Sequence, residues 1–105
     1  MTAFVVELAP AAQDDLERLF DFLLEQAETV EDLDRAQSAI DAIRAAARDR
    51  LAITPFSFRK AARNPVQREL VIPFGNTGYL ALFEIVSASK VVVLAVRHQR
   101  EEDYH

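Results

Sequence analysis

The sequence predicts an α+β fold in the order β-α-α-β-β-β, a helical hairpin packed on a small antiparallel sheet. In its first half, two stretches repeat apolar residues every three or four positions, the spacing of one helix face. In its second half, three apolar, β-branched runs alternate with short turns, the spacing of a meander. Two amphipathic helices joined by a short link need a shared apolar surface, and a sheet provides one. With 105 residues, half of them apolar, the chain suits one domain over residues 1–105 and leaves no room for a second core.

Phe4, Val5 and Val6 are β-formers and predict a strand from Thr2 to Leu8. Pro10 fits the first turn of a helix, where its missing N–H costs nothing. Asp14, Asp15 and Glu17 follow near that N-terminus, where carboxylates suit the helix dipole. Ala12, Leu16, Leu19, Phe20, Leu23 and Ala27 make one apolar stripe on a helix running to Gln26. Thr29-Val30-Glu31-Asp32 resembles a capping box with Asp in place of Glu, and starts a second helix. Leu33, Ala36, Ile40, Ile43 and Ala47 give that helix its buried face, as far as Arg50.

Pro55 blocks further helix, and Thr54 to Pro65 reads as a loop carrying Arg59, Lys60 and Arg63. The three strands follow as Arg68 to Pro73, Tyr79 to Val86 and Val91 to His98. Gly75–Gly78 and Ser87–Lys90 supply the turns between them. The last strand is apolar on both faces up to Arg97, which predicts a central or doubly covered position.

Without cysteine there are no disulfides and no thiolate metal sites, and a reducing cytoplasm is the natural compartment. The opening MTAFVVELAP lacks the basic start of a signal peptide. The longest apolar run, Val91 to Val96, is far short of the ~20 residues that cross a bilayer. Only two histidines and two glycines are present, with no Gly-rich phosphate loop, no H-E-x-x-H and no G-x-S-x-G. Cofactor, metal and serine-hydrolase chemistry therefore have no support.

Net charge is -5, which argues against a general nucleic-acid binder. The average hides a gradient: -7 over Met1–Ala52, +5 over Ile53–Arg100 and -3 over the last five residues. The basic stretch can be ordinary surface arginines or a surface for an acidic partner.

One polar constellation could carry chemistry: Arg68 and Glu69 on one strand, with Arg97, His98, Arg100 and Tyr104 at the sheet's end. Cutting RNA through its own 2'-hydroxyl needs a base, a cation for the phosphate and an acid for the leaving oxygen. Glu69 or His98 could be the base, Arg68 or Arg97 the cation, and His98 or Tyr104 the acid. The same polarity is what any strand shows where it reaches water. Glu84, inside an apolar strand, reads as structural. Phe56 and Phe58 beside Arg59 and Lys60 can stack on nucleotides or pin a loop to the core.

LAPAAQDDLERLFDFL, RELVIPFGNTGYLALFEI and VLAVRHQREEDY together resemble the RelE/ParE superfamily, toxins of type II toxin–antitoxin systems also described as plasmid stabilisation proteins. The resemblance spans nearly the whole chain. It implies a small cytoplasmic toxin of βααβββ fold, neutralised by a cognate antitoxin that wraps its surface. RelE-like members cut mRNA on the ribosome, whereas ParE-like members poison DNA gyrase and are not nucleases.

Against that split, Leu80 follows Gly-Tyr where a typical nuclease carries arginine. Arg68 is followed by Glu-Leu-Val-Ile without lysines, and His98 stands where a phosphate-clamping arginine is expected. Tyr104 does match the nuclease tail tyrosine, and Arg68, Glu69, His98 and Tyr104 imitate a second nuclease pattern with different spacing. An acidic chain also approaches a dense phosphate field poorly. The resemblance thus points to the ParE side, a gyrase inhibitor without catalytic residues. On that reading Arg59, Lys60, Arg63, Arg97, His98, Arg100 and Tyr104 are expected to bind partners. The alternatives are a ribosome-dependent endoribonuclease and an inactive module that only binds antitoxin, with Leu23, Leu24 and the apolar strand faces as its docking surface.

Overall fold

The computed structural model describes residues 3–61, 64–101, 103 and 104. The elements are β1 (Val5–Leu8), α1 (Pro10–Gln26), α2 (Val30–Leu51), a 3-10 turn (Pro55–Ser57), β2 (Gln67–Phe74), β3 (Thr77–Ser87) and β4 (Lys90–His98). The strand predicted from Thr2 begins at Val5, and Thr2 itself lies outside the described residues. Among the described residues no helix is long and apolar enough to cross a membrane.

The sheet order is β1-β4-β3-β2. β2, β3 and β4 form the predicted antiparallel meander. β1 corrects the expectation of a wholly antiparallel sheet, because it pairs parallel to β4, with Val6 opposite Val91 and Leu8 opposite Val93. A strand that is apolar on both faces fits an interior position in the sheet. β1 is the second neighbour that gives β4 this position, and Val91, Val93 and Val96 of β4 are fully buried.

Both helices cover one face of the sheet. Ala12, Leu16 and Leu19 of α1 and Ala39, Ile40, Ile43, Ala47 and Leu51 of α2 meet Leu70, Ile72, Tyr79, Ala81, Phe83 and the β4 valines in one core. Removing a ring such as that of Phe83 from water stabilises the fold by about 1.5–3 kcal/mol. α2 opens with the predicted box: Asp32 N–H donates to Thr29 Oγ1 (3.1 Å), and Thr29 and Glu28 N–H donate to Asp32 Oδ2 (3.2 and 2.9 Å). Leu33 does not join the buried face; at 46% exposure it projects beyond the core, and the stripe starts one turn later at Ala36.

The turn between β2 and β3 is tighter than the four residues expected. Gly75 and Asn76 make it, with Gly75 at φ 59°, and Thr77 already belongs to β3. Among the described residues, the segment before β2 makes more regular contacts than a loop. Phe58 packs edge-on against Phe83 (6.1 Å between centroids). Lys60 then bridges to Arg68, and Ala61 N–H donates to Gln67 O at 2.8 Å along the outer edge of β2.

Strand alternation decides what each face presents. Leu94 is an extra residue in β4, since Leu82 pairs with Ala95 and Phe83 with Val93. Val93, Val96 and His98 consequently share the helix-covered face with Tyr79. Glu69, Val71, Leu80, Leu82, Glu84 and Arg97 lie on the open face. Glu84 is half-buried there, opposite Gln67 and Val92.

Candidate functional site

The open face carries one polar cluster, assembled by the tail that follows β4. Tyr104 returns across the sheet and its hydroxyl donates to Glu69 Oε2 at 2.6 Å. Arg59 Nη2 lies 3.2 Å from Glu69 Oε1, from a side chain that is 61% exposed. The Arg97 guanidinium sits 5.1 Å from the centroid of the Tyr104 ring and donates to the backbone oxygen of Glu101. Burial pushes the Tyr104 hydroxyl well above the ordinary tyrosine range, and the Glu69 hydrogen bond and charge add to it, while Arg97 opposes. A phenol so placed is a poor acid near neutral pH. The cluster can grip another surface through a stacked guanidinium, an aromatic ring and an exposed cation.

The helix-covered face ends in a groove of about 630 Å3 between the linked end of the helical hairpin, where α1 passes into α2, and the β2–β3 turn. Leu19, Phe22, Leu23 and Ala36 give it apolar walls; Arg35, Tyr79, His98 and Arg100 bring polar atoms to it. Phe22, at the rim, is 57% exposed. His98 packs edge-on against Tyr79 at 5.3 Å. Its Nδ1 accepts the Arg100 N–H (3.1 Å), so the ring proton is on Nε2 and donates to Thr77 Oγ1 (3.0 Å). Burial holds His98 below the usual histidine range, Arg100 pushes it the same way, and Glu101 partly opposes.

The sheet therefore divides the residues singled out for RNA cleavage. Glu69 and Tyr104 meet on the open face, with Arg97 and Arg59 beside them. Arg68 points to the other face, donating to Phe58 O (2.8 Å) and Phe56 O (3.3 Å), and so ties down the loop. His98 also faces the helices, at the far end of the meander, where it pairs with Tyr79. The tail arginine beside the tyrosine is Arg97, and His98 does not take that place. Arg100 lies at the groove, Lys60 sits on the edge of β2, and Arg63 lies outside the described residues. Phe58 pins its loop, and Phe56 stays 64% exposed with its edge on Phe4. Among the described residues no three metal-binding side chains gather.

Asp15 holds β4 and Arg18 holds the tail that follows it, and neither was expected to. Asp15 Oδ2 accepts the Val96 N–H at 2.8 Å from a residue only 5% exposed. Arg18 Nη1 donates to Glu101 Oε1 at 2.7 Å, while Glu101 Oε2 accepts the His98 N–H at 2.8 Å. The signal was the position of Asp15: it falls on the apolar stripe, between Ala12 and Leu19, where a charge needs a partner.

No curated protein matches the chain by sequence. Solved structures share the fold, among them two from toxin–antitoxin systems. One is from the chromosomal ParDE toxin–antitoxin system of P. aeruginosa, with a TM-score of 0.71 at 14% identity over 91% of this chain and 96% of that one. The other is from the RelBE2 toxin–antitoxin complex of Mycobacterium tuberculosis, with a TM-score of 0.63 at 21% identity over 96% and 97%. The profile of the family described as ParE toxin of type II toxin-antitoxin system, parDE, matches residues 6–103. A match of that extent makes the chain a member of the family of ParE toxins of type II toxin–antitoxin systems.

Proposed function

We propose that the protein inhibits DNA gyrase in the cytoplasm by binding it, without breaking nucleic-acid bonds, and that a cognate antitoxin neutralises it. The division of the candidate catalytic residues carries this reading: His98 faces the helices, whereas Glu69 and Tyr104 bond to each other on the open face. A base, a phosphate clamp and a free acid do not converge on one point. The open face, with Arg59, Arg97 and Tyr104, is then the surface offered to the target, with Lys60 at its edge. The apolar groove with its basic rim receives the antitoxin. Arg63 belongs to the same basic segment in sequence.

The test is a supercoiling assay with purified gyrase. Loss of supercoiling, restored by the antitoxin from the neighbouring reading frame, supports the proposal; full supercoiling at high toxin excess overturns it. One observation favours a second reading, a ribosome-dependent endoribonuclease: Arg97 and Tyr104 share a face. Codon-phased mRNA cuts in a translating extract, absent in Tyr104→Phe, would establish that reading in its place. Harmless expression with antitoxin binding retained would leave a module that only binds.

A further inference from the structure

The groove presents two donors that the described chain does not use. Tyr79 is 3% exposed, and its ring is wedged between Phe74 (6.4 Å) and His98 (5.3 Å). Its hydroxyl nevertheless makes no hydrogen bond among the described residues, and it lines the groove. Arg35 stands beside it. Its guanidinium lies 5.5 Å above the Phe74 ring and packs against Gly75, where a Cβ would come within 2.9 Å of Nη2. Arg35 makes no ion pair or hydrogen bond among the described residues either. Asp32, one turn earlier, keeps its carboxylate on the N–H groups of Glu28 and Thr29. Burial raises the Tyr79 hydroxyl and the Arg35 charge lowers it, which agrees with their closeness.

An aromatic-stacked guanidinium that feels the nearby Asp32 charge but makes no ion pair with it, next to a fixed hydroxyl in an apolar groove, leaves its donors for one further carboxylate. A bare phosphate would leave the apolar walls uncovered, whereas an acidic residue flanked by apolar ones fits donors and walls together. We propose that Arg35 and Tyr79 form a receptor for a single Asp or Glu side chain on an amphipathic segment of the antitoxin, with apolar neighbours lodged against Leu19, Phe22 and Leu23. Arg100 adds a second cation at the rim and steers the segment. The receptor rests on the reading that an antitoxin occupies the groove, and it assigns a specificity to that contact: acid to Arg35, apolar side chains to the walls.

The experiment uses the full chain without antitoxin and two synthetic probes, acetyl-Leu-Leu-Glu-Leu-Leu-amide and its Gln counterpart. Binding is followed by NMR shifts of the Arg35 Nε–H and the Tyr79 ring. The Glu probe is expected to bind roughly tenfold more tightly than the Gln probe, the scale of one charge-assisted bidentate contact. That preference is expected to disappear in Arg35→Gln and to shrink in Tyr79→Phe, with Arg35→Lys keeping part of it. Thermal melts of each variant separate loss of the receptor from loss of the fold. Equal affinity for the two probes, no binding of either, or an unchanged preference in Arg35→Gln overturns the proposal. So does stronger binding of acetyl-Leu-Leu-Leu with a free C-terminus, which would assign the groove to chain ends. Because no antitoxin is present, a failed receptor leaves antitoxin binding itself intact, and a partner that does not co-purify leaves the Glu preference intact.

Discussion

Asp15 on α1 accepts the backbone N–H of Val96 on β4 at 2.8 Å, with its side chain almost wholly withdrawn from water. β1 ends at Leu8, opposite Val93, so the edge of β4 beyond that point has no strand beside it. The carboxylate replaces the missing strand, and Arg18, 3.8 Å away, balances its charge. Asp15→Ala leaves a buried N–H without an acceptor and is expected to lower stability by about 2–3 kcal/mol. Asp15→Asn keeps an acceptor and should cost less. Urea denaturation of both variants measures the difference.

Gly75 carries two constraints in one residue. At φ 59° any side chain is strained, and a Cβ would also press on the Arg35 guanidinium at 2.9 Å. Gly75→Ala is expected to destabilise by about 1–3 kcal/mol. Gly75→Asn, which tolerates the left-handed region better, should cost less strain yet still displace Arg35. Melting temperatures give the first effect, and the NMR position of the Arg35 Nε–H gives the second.

His98 makes stability depend on pH. Its folded value is depressed, so between that value and the unfolded ~6.5 the unfolded chain binds more protons. Stability therefore rises with pH through this window and is lost as pH falls from about 6.5. Protonation would also take Nδ1 away from the Arg100 N–H and set a charge beside the Arg100 side chain. Denaturation midpoints for the native chain and His98→Gln should diverge above this window, with the variant flatter as pH falls.

Tyr104→Phe removes the hydrogen bond to Glu69 while keeping the ring under Arg97. Gyrase inhibition that depends on the ring and guanidinium should survive this change, with a stability loss of about 1 kcal/mol. Tyr104→Ala removes the ring as well and should abolish inhibition. Supercoiling assays on the two variants, normalised to folded protein, distinguish grip from proton transfer.

The periodic parts of the fold were legible. The helix stripe over Ala36 to Ala47, the Thr29–Asp32 box and the doubly apolar Val91–Val96 run depend on neighbours close in sequence, and each sits where local chemistry put it. The direction of β1 was not legible, because nothing in Val5–Leu8 distinguishes a parallel from an antiparallel partner. The faces of the site residues were also hidden. Arg68 and Glu69 are adjacent in sequence and therefore opposite in space, and the extra residue at Leu94 resets the phase that decides where Arg97 and His98 point. Tyr79 read as a strand aromatic because its free hydroxyl matters only once the groove exists.

β1 has β4 as its one strand neighbour among the described residues, and the whole helical hairpin and meander lie between them in sequence. During synthesis the first strand therefore waits, unpaired, until the last strand has left the ribosome. In a nascent chain stalled before that point, the scaffold that carries the tail does not yet exist. A chain cut off before β4 lacks both an interior strand of the sheet and the tail whose Tyr104 bonds to Glu69.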